Sequence, residues 1–412
     1  MTEQRRVVVT GRGVISPIGQ SVTDFWENAL KGTNGIGAIS TFDTTDFKAK
    51  LAAEVHDFDP RDYMEKADTL RSDRFAQLGL ASAVQAVEES GILGNVDATR
   101  FGVNFGTGIG GIQTMSAEHA KLEARGPRKV SPYFVPMLIA NMCAGMIAIR
   151  FGCKGSALPA VTACASGSNA IGEAVRTIRH GYADAIIAGG SEAAINPISM
   201  AGFINMQALS TSEDPNAASL PFDARRGGFV MGEGGAALVL EEYEHALNRG
   251  ATIYGEICGY GSTCDAYHIT APMPDAEGGT RAMVDALREA RHEESDTVYI
   301  NAHGTGTPLN DSTETLAIKQ ALGEDAARRA YVSSTKSMTG HMLGAAGAIE
   351  ALACLLTLEQ GIIAPTINLL EADPACDLNN VPNEALRVDV DLALSNSLGF
   401  GGHNACLAMR RI

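Results

Sequence analysis

The chain has 412 residues, enough for two domain-sized units or for one large α/β body with an extensive core. Apolar residues make up 45% of it, aromatic residues only 6%, and 45 residues are glycine, which predicts a tightly packed core of small aliphatic side chains. A net charge of −16 without clustered lysine and arginine argues against a nucleic-acid partner.

Cysteine usage and hydropathy indicate the compartment. The eight cysteines show no CxxC or Cys/His metal spacing, which favours reduced thiols in a cytoplasmic enzyme over a disulfide framework. The apolar run at residues 7–11 is too short for a signal peptide, and no stretch reaches transmembrane length without a charge or a glycine interruption. We therefore expect a cytoplasmic protein that does not bind a membrane.

The first half of the chain alternates predicted strands and helices. Strands are predicted at residues 6–9, 101–105, 183–190 and 236–240, and helices at 23–30, 73–90 and 166–180. Gly11 and Gly13 predict a turn after the first strand, but the third glycine of a GxGxxG dinucleotide-binding motif is missing. Residues 132–142 are apolar and interrupted by proline, which suits a lid or an interface segment.

The second half repeats this style. Strands are predicted at residues 253–259, 297–302, 331–334, 392–395 and 405–409, with a short extended segment at 366–369, and helices at 280–291, 312–322 and 344–360. Each half surrounds one helix of small residues with strands. We infer an α/β fold of two similar halves, residues 1–250 and 251–412, whose small-residue helices pair in the middle.

Cys164 lies at the start of the small-residue helix of the first half, directly after a short predicted strand. The unpaired N–H groups and the dipole at a helix N-terminus favour a thiolate, the nucleophilic form of cysteine. A buried structural cysteine is the alternative interpretation.

Two histidines follow predicted strands of the second half. His303 lies in the segment Asn301-Ala302-His303-Gly304-Thr305-Gly306-Thr307, at the strand end where α/β sheets bind ligands. His341 lies in Lys336-Ser337-Met338-Thr339-Gly340-His341, before the second small-residue helix. Lys336 in so apolar a setting predicts a buried partner, and Glu350 in that helix is a candidate.

A glycine-rich loop near the C-terminus, Gly399-Phe400-Gly401-Gly402, holds one aromatic side chain. It is either a turn between the terminal strands or a mobile gate that supplies oxyanion-hole N–H groups. A cysteine nucleophile could accept an acyl group, and two imidazoles could stabilise the enolate formed when a malonyl thioester loses CO2.

These motifs, in this order, resemble the elongating β-ketoacyl-acyl carrier protein synthases of type II, and the likeness runs from Arg6 to the C-terminus. The resemblance implies a thiolase-like, five-layered α-β-α-β-α fold with a buried central helix pair. It also implies a decarboxylative Claisen condensation that elongates a fatty acyl chain by two carbons.

The resemblance assigns roles to residues of this chain. Cys164, His303 and His341 are catalytic; the N–H groups of Cys164 and Phe400 form the oxyanion hole, and Phe400 is the gate; Lys336 and Glu350 support the site; Thr305, Thr307, Gly399, Gly401 and Gly402 bind substrate. No cofactor or catalytic metal is implied, because the substrates are carried on the phosphopantetheine of acyl carrier protein. A monovalent cation is implied near Asn301, Glu350, Ser395 and Asn396.

Partners follow from the same resemblance. It implies a homodimer, with residues 101–112 and 132–142 near the partner, and binding of acyl- and malonyl-loaded acyl carrier protein. Because carrier proteins are acidic, a local basic patch is needed, and the candidates are Lys66, Arg71, Arg74, Arg128 and Lys129.

The chain departs from the family pattern at two positions. Leu398 stands where many relatives have phenylalanine, and Gln207 where many have a basic residue. The ketosynthase subunit of a type II polyketide synthase is the alternative, and it pairs with a non-identical, chain-length-setting subunit. A thiolase needs a second cysteine in the terminal loop, which residues 399–404 lack, and an inert partner subunit lacks the nucleophile.

Overall fold

The computed structural model describes residues 5–412, so residues 1–4, which precede the apolar run tested for a signal peptide, lie outside the description. The strands in the described range are β1 Val7–Ile15, β2 Gly37–Ala38, β3 Leu51–Ala53, β4 Phe101–Gly106, β5 Ala157–Ala160, β6 Ala185–Glu192, β7 Met231–Gly232, β8 Gly234–Glu242, β9 Gly255–Cys264, β10 Val298–Asn301, β11 Tyr331–Ser333, β12 Ile362–Ile363, β13 Asn379–Asn380, β14 Leu386–Arg387, β15 Leu392–Gly399 and β16 His403–Arg410.

The α-helices in the same range are α1 Val22–Leu30, α2 Lys66–Thr69, α3 Arg74–Ser90, α4 Ile112–Arg125, α5 Phe134–Leu138, α6 Met142–Phe151, α7 Ser166–Arg179, α8 Pro197–Asn205, α9 Tyr243–Asn248, α10 Glu277–Glu289, α11 Pro308–Leu322, α12 Glu324–Arg329, α13 Lys336–Thr339 and α14 Ala346–Gln360. Ser21 caps α1 and Asp73 caps α3 through their side chains, so each helix begins within one residue of its predicted start.

One large sheet of eleven strands runs through the molecule in the order β13-β11-β10-β15-β16-β9-β1-β8-β6-β4-β5. Only two residue pairs, Val8 with Glu256 and Val9 with Gly255, join β1 to β9 in the middle. The sheet therefore consists of two half-sheets that meet at a narrow seam.

The two half-sheets have the same topology. β1-β8-β6-β4-β5 in the first half corresponds to β9-β16-β15-β10-β11 in the second, and the four successive pairings are antiparallel, antiparallel, parallel and parallel in both. The prediction of two similar α/β halves is thus confirmed.

The small-residue helices α7 and α14 lie between the half-sheets. Helix α7 contacts β4 and β6 on one side and β9 and β16 on the other, while α14 contacts β8 and β15 and packs on α7. Helices α3 and α6 cover the outer face of the first half-sheet, and α10 covers the outer face of the second. These contacts give five layers, as the resemblance implies.

Helix α14 with its preceding turn, Leu343–Gln360, is long and apolar enough to span a membrane by composition, with a mean hydropathy of 1.3. However, 89% of this segment is buried inside the protein, and Glu350 lies in its middle. The apolar surface of this segment therefore packs in the core between the two half-sheets.

Two local predictions are wrong. Gly11 and Gly13 do not form a turn, because β1 continues through them and a Cβ at either position would lie 2.0 Å from a backbone oxygen of α3. Glycine there permits close strand–helix packing. Residues 366–369 are not an extended segment, because Thr366 makes only an isolated bridge and Asn368 has a φ of 64°.

Candidate active site

Cys164 sits in a tight turn between β5 and α7. The turn Ala163–Ala165 is a 3₁₀ helix whose first residue, Ala163, has a φ of 51°, a left-handed conformation that is costly for a residue with a side chain. The Ser166 hydroxyl stabilises it by sharing its single proton between the Ala163 carbonyl, 2.7 Å away, and the Thr107 carbonyl, 3.1 Å away. The sulfur is thereby held at the helix start.

A chain of polar side chains holds the residues before the turn. Thr162 Oγ1 donates to Asn169 Oδ1 at 2.6 Å, and Asn169 Nδ2 donates to the Tyr260 hydroxyl at 2.7 Å. Tyr260 is fully buried and belongs to β9 of the other half. The nucleophile turn is therefore positioned by both halves of the molecule.

His303 follows the buried strand β10 by two residues. Its backbone N–H and that of Gly304 each donate to the carboxylate of Glu314, at 2.7 Å, from helix α11. Glu314 is fully buried, and burial raises its pKa to about 7. This carboxylate, which sequence reasoning missed, fixes the backbone that carries His303.

His341 follows the short helix α13, where Gly340 has a φ of 63° and allows the chain to reverse. The His341 N–H donates to the Val230 carbonyl at 2.7 Å, and its ring meets Phe229 edge-on at a centroid distance of 5.1 Å. Both contacts come from the first half of the chain, so His341 also depends on the contact between the halves.

The structure brings Cys164, His303 and His341 together. One ligand-type atom of each lies within 4.8 Å of the other two, and the imidazole rings are 5.2 Å apart at 87°. All three are buried, and burial, with the nearby Lys336 charge, lowers the pKa of both histidines well below the usual 6.5. The two imidazoles are therefore neutral at pH 7.

Cys164 lies directly before α7, where a helix N-terminus favours the thiolate, but burial acts in the opposite direction. Burial raises the pKa of Cys164 to about 12, although Lys336 and a hydrogen bond from the Phe400 N–H oppose this effect. Desolvation of the charged form is the largest of these effects on the pKa. The group at rest is a thiol beside neutral imidazoles.

Lys336 forms a direct ion pair with Glu350, and both side chains are only 2% exposed. Four oxygens of the residues that the resemblance implies for a cation have no hydrogen-bond partner in the described chain: Asn301 Oδ1, Glu350 Oε2, Ser395 Oγ and Asn396 Oδ1. Asn301 is paired directly with Ser395 in the sheet. Unpaired buried oxygens of this kind fit a hard cation such as a monovalent ion.

The glycine loop lies against the nucleophile. A Cβ on Gly399 would stand 2.8 Å from the Thr162 carbonyl and 3.3 Å from the Cys164 nitrogen, so only glycine allows this approach. The Phe400 ring packs beside Phe203 of α8 at 6.3 Å. The loop is therefore positioned to place its N–H groups near the sulfur.

A cavity of about 660 Å³ opens at these groups. Its walls include the expected Cys164, His303, His341, Thr305, Thr307, Gly399, Phe400 and Gly402, together with Leu398 and Gln207. Gly401 is exposed and does not line it; its N–H donates to the Ile269 carbonyl at 2.8 Å. Other wall residues were missed by sequence reasoning: Phe203, Met206, Phe229, Asp265, Ile269, Thr270, Pro272, Leu309, Asn310 and Leu343.

The predicted basic patch is exposed with one exception. Lys66, Arg71, Arg128 and Lys129 are exposed, and Arg71 stacks on Tyr133 at 4.9 Å, which brings its segment beside the one that follows Lys129. Arg74 does not belong to this set. Its guanidinium is bound by Glu233 at 2.7 Å and by the Val55 carbonyl at 2.8 Å, so its charge is already compensated.

A thiol and two neutral imidazoles that meet at the end of a largely apolar cavity define a Cys-His-His acyltransferase site. Comparison with known proteins agrees. The family models "Beta-ketoacyl synthase, N-terminal domain" and "Beta-ketoacyl synthase, C-terminal domain" match residues 4–246 and 254–370.

Curated relatives cover nearly the whole chain. A protein of Synechocystis sp. named 3-oxoacyl-[acyl-carrier-protein] synthase 2 is 51% identical over 99% of both chains, and one of Staphylococcus aureus with the same name is 50% identical over 100% of this chain and 99% of its own. The chain belongs to the β-ketoacyl synthase family.

Solved structures agree with the fold. A β-ketoacyl synthase from Burkholderia phymatum has a TM-score of 0.92 and 35% identity over 99% of this chain and 100% of its own. A ketosynthase structure solved in complex with its type II PKS acyl-carrier protein has the same TM-score and identity, with full coverage of both chains.

Proposed function

We propose that this protein catalyses the decarboxylative condensation of malonyl-acyl carrier protein with a Cys164-bound acyl chain, as a 3-oxoacyl-acyl carrier protein synthase of fatty-acid elongation. The observation that carries the proposal is the meeting of Cys164, His303 and His341 within 4.8 Å in a buried cavity. Hydrolysis of a thioester would not need two imidazoles that are kept neutral.

The first step loads the acyl chain. A neutral imidazole takes the proton of the Cys164 thiol, the sulfur attacks the acyl thioester, and the carrier's pantetheine thiol leaves with a proton. The negative charge that develops on the thioester oxygen is stabilised by the N–H groups of Cys164 and Phe400. The raised pKa of Cys164 makes this proton transfer necessary.

The second step forms the carbon–carbon bond. The malonyl thioester loses its carboxylate as CO2, and the electron pair left behind forms an enolate whose oxygen accepts hydrogen bonds from His303 and His341. The enolate carbon then attacks the Cys164 thioester and expels the Cys164 sulfur as a thiolate, which takes up a proton from solvent through a neighbouring imidazole to restore the thiol. Because neutral imidazoles can donate an N–H without carrying a charge, the lowered pKa of both histidines suits this role.

Other residues take supporting roles in the proposal. Thr305 and Thr307, whose hydroxyls lie 3.0 Å apart in the cavity wall, contact the pantetheine arm, together with Gly399 and Gly402. Phe400 gates the acyl pocket. Lys336 and Glu350 hold the site, and the unpaired oxygens of Asn301, Glu350, Ser395 and Asn396 would coordinate a monovalent cation.

Acyl carrier protein is the proposed partner, and a cytoplasmic location follows from that pathway. A solved relative forms a complex with its acyl-carrier protein. The exposed Lys66, Arg71, Arg128 and Lys129 form the proposed patch for an acidic carrier. The enzyme needs no cofactor of its own in this proposal, because the carrier brings the pantetheine.

We also propose a homodimer that forms through the edge strand β5. This strand ends the eleven-stranded sheet, and Leu158 in it is 55% exposed. Ile149 of α6 is 80% exposed, and Val135 of α5 and Val161 add to the same apolar set. An uncovered edge strand with large apolar side chains is a surface that soluble proteins cover, and two copies related by a twofold axis would do so.

The test measures condensation and malonyl decarboxylation separately in variants of the three site residues. Cys164→Ala should abolish condensation, and His303→Ala or His341→Ala should block release of acetyl-carrier protein from malonyl-carrier protein. Cys153→Ala, a partly exposed cysteine outside the cavity wall, is the control. Undiminished decarboxylation by both histidine variants would contradict the assigned roles.

A type II polyketide ketosynthase is the second candidate, because solved neighbours include a ketosynthase with its chain length factor, 36% identical with a TM-score of 0.93. The native mass of the purified chain distinguishes the two. A stable homodimer that condenses alone supports fatty-acid elongation, whereas a chain that is monomeric and inactive alone supports the polyketide assignment.

A further inference from the structure

Glu192 is a fully buried carboxylate that the proposed reaction does not use. It is the last residue of β6, and both of its oxygens are fully hydrogen-bonded. Oε1 accepts from the Thr107 hydroxyl at 3.0 Å and the Ile109 N–H at 3.3 Å, and Oε2 accepts from the Gly108 N–H at 2.6 Å and the Gly344 N–H at 3.1 Å. Four donors thus converge on one side chain.

The donors come from two segments that flank the catalytic groups. Residues 107–109 support the nucleophile turn, since the Thr107 carbonyl accepts from Ser166 at the start of α7. Gly344 belongs to the turn Leu343–Ala345, three residues after His341, and Leu343 lines the cavity. Glu192 therefore connects residues 107–109, which support Cys164, to the turn that follows His341.

The contact between these segments is close. A Cβ on Gly344 would lie 2.2 Å from the Gly108 nitrogen, and a Cβ on Gly108 would lie 2.7 Å from Glu192 Oε2. Leu343 has a φ of 42°, so the turn is held in a strained conformation. A strained turn persists only where its surroundings fix it, and the hydrogen bond from Gly344 to Glu192 is one such restraint.

The similar topology of the two halves relates the position of Glu192 to that of the glycine loop. Cys164 is the second residue of the turn before α7, and Gly344 is the second residue of the equivalent turn before α14. Equivalent strands β6 and β15 end at Glu192 and Gly399. In the first half, the Cys164 N–H faces Gly399, which precedes Phe400. In the second half, the equivalent Gly344 N–H donates to Glu192.

No basic side chain in residues 5–412 forms an ion pair with Glu192. Burial raises its pKa to about 7, and the hydrogen bonds from Gly108, Gly344, Thr107 and Ile109 oppose this effect. A buried carboxylate without a cation costs folding free energy. The four hydrogen bonds by which it joins residues 107–109 to Gly344 offer a reason to keep it.

We propose that Glu192 is a positioning residue for the condensation. Its carboxylate binds the Gly344 N–H, the second half's counterpart of the Cys164 N–H in the proposed oxyanion hole. It thereby holds the turn after His341 against residues 107–109, which support Cys164. This inference rests on the proposed function of the site. Without the carboxylate the two catalytic segments can separate, and the distance between Cys164 and His341 is no longer fixed.

The test uses Glu192→Gln in the full chain, which keeps the side-chain shape but replaces one accepting oxygen by an NH2 group. We expect the condensation kcat to fall about 10- to 100-fold, with the KM for each carrier substrate changed less than about twofold, because misplacement by about an ångström has effects of this size. Glu54→Gln is the matched control. Glu54 is also buried and accepts from the Ser40 N–H and hydroxyl and from the Thr41 hydroxyl, outside the cavity wall.

A second measurement does not depend on the reaction. The rate at which iodoacetamide alkylates Cys164, measured against pH, should shift its midpoint to lower pH in Glu192→Gln, because the neighbouring charge is gone, and should not shift in Glu54→Gln. Lower thermal stability with kcat and midpoint equal to those of Glu54→Gln would overturn the proposal.

The outcomes separate the two proposals. If the wild-type chain does not condense, the proposed function fails, and the alkylation midpoint still decides whether Glu192 acts on Cys164. If Glu192→Gln does not fold, Thr107→Val removes one of the four donors, and we expect its kcat to fall about two- to fivefold for the same geometric reason. An unchanged kcat in a folded Thr107→Val chain would then overturn the role of Glu192.

Discussion

Cys164, His303 and His341 are each almost fully buried, and burial favours the uncharged form of all three. Transfer of the Cys164 proton to an imidazole creates a thiolate and an imidazolium ion, and burial disfavours this charged pair at rest. The reactivity of these residues therefore depends on their shared surroundings.

The depressed pKa of His341 has a consequence for stability. In the unfolded chain this imidazole binds a proton as the pH falls below about 6.5, whereas in the folded chain it stays neutral, so the unfolded state is favoured at lower pH. Its contribution is complete above pH 6.5 and falls by up to about 1.4 kcal/mol per pH unit below it. We expect His341→Asn to flatten the decline in unfolding free energy between pH 6.5 and 5.

Urea unfolding at several pH values measures this slope. Leu93→Asn, at an uncharged side chain that is 51% exposed, is the control and should leave the slope unchanged. An equal slope in His341→Asn and the wild-type chain would mean that His341 titrates normally in the folded protein.

The buried pair of Lys336 and Glu350 gives a second prediction at the residue scale. Glu350→Gln leaves a lysine that is 2% exposed without its counter-charge, and we expect a loss of about 3–5 kcal/mol in unfolding free energy. Lys336→Met in the same chain should recover most of this loss, because it removes the unpaired charge.

Denaturant unfolding compares these variants with an exposed pair. Glu27→Gln, which breaks the contact with Lys31 at a site where both side chains are more than 60% exposed, should cost less than about 1 kcal/mol. Equal costs for Glu350→Gln and Glu27→Gln would show that the buried pair is solvated.

At the scale of elements, α7 carries the nucleophile because its small residues let neighbours approach. A Cβ on Gly172 would lie 2.2 Å from the Tyr260 ring, so this ring sits directly on the helix backbone. Tyr260 accepts from Asn169, which in turn accepts from Thr162 near the nucleophile. Packing of the helix and placement of the sulfur are therefore linked.

Gly172→Ala tests that link. We expect a loss of about 1–3 kcal/mol in unfolding free energy from overpacking, and a fall in condensation rate as Tyr260 releases Asn169. Unfolding and rate measurements on one preparation check both effects. Gly202→Ala on the exposed side of α8, where nothing lies within 4 Å of the new methyl group, should instead stabilise the chain by about 0.5–1 kcal/mol.

At the scale of the whole molecule, the two edge strands of the eleven-stranded sheet differ in length and in exposed apolar surface. At one end the two-residue strand β13 follows β11, and at the other β5 carries exposed apolar side chains. Leu158→Lys should therefore disrupt the proposed homodimer, since a charge would be buried in the interface.

Sedimentation velocity over a concentration series measures this change. Leu370→Lys, at a side chain that is 70% exposed and lies far from β5 in the chain, is the control and should leave the sedimentation coefficient unchanged. A Leu158→Lys chain that sediments like the wild type would place the interface elsewhere.

Much of the fold could be predicted from local pattern. Apolar runs such as Phe101–Gly106 and capped helices such as Arg74–Ser90 carry their signals in adjacent residues. Gly11 and Gly13 were misassigned because their role is close contact with α3, and that contact joins residues about 70 positions apart.

The reactive residues of the candidate site could be predicted because their signals also lie in adjacent residues, but the residues that position them could not. Cys164, His303 and His341 stand in glycine-rich segments with a recognisable order, whereas Glu314 and Glu192 act through backbone N–H groups of other segments. A buried carboxylate that binds a distant backbone leaves no local pattern. Its role appears only when the chain is folded.

The sequence by itself determined the two α/β halves, the small-residue helices and the identity of the three reactive side chains, because periodicity and motif order are local properties. The tertiary structure decided the charge state of Cys164, the neutrality of the histidines, the compensation of Arg74 and the clamp at Glu192. Each of these depends on burial and on partners from distant parts of the chain, and only folding brings those together.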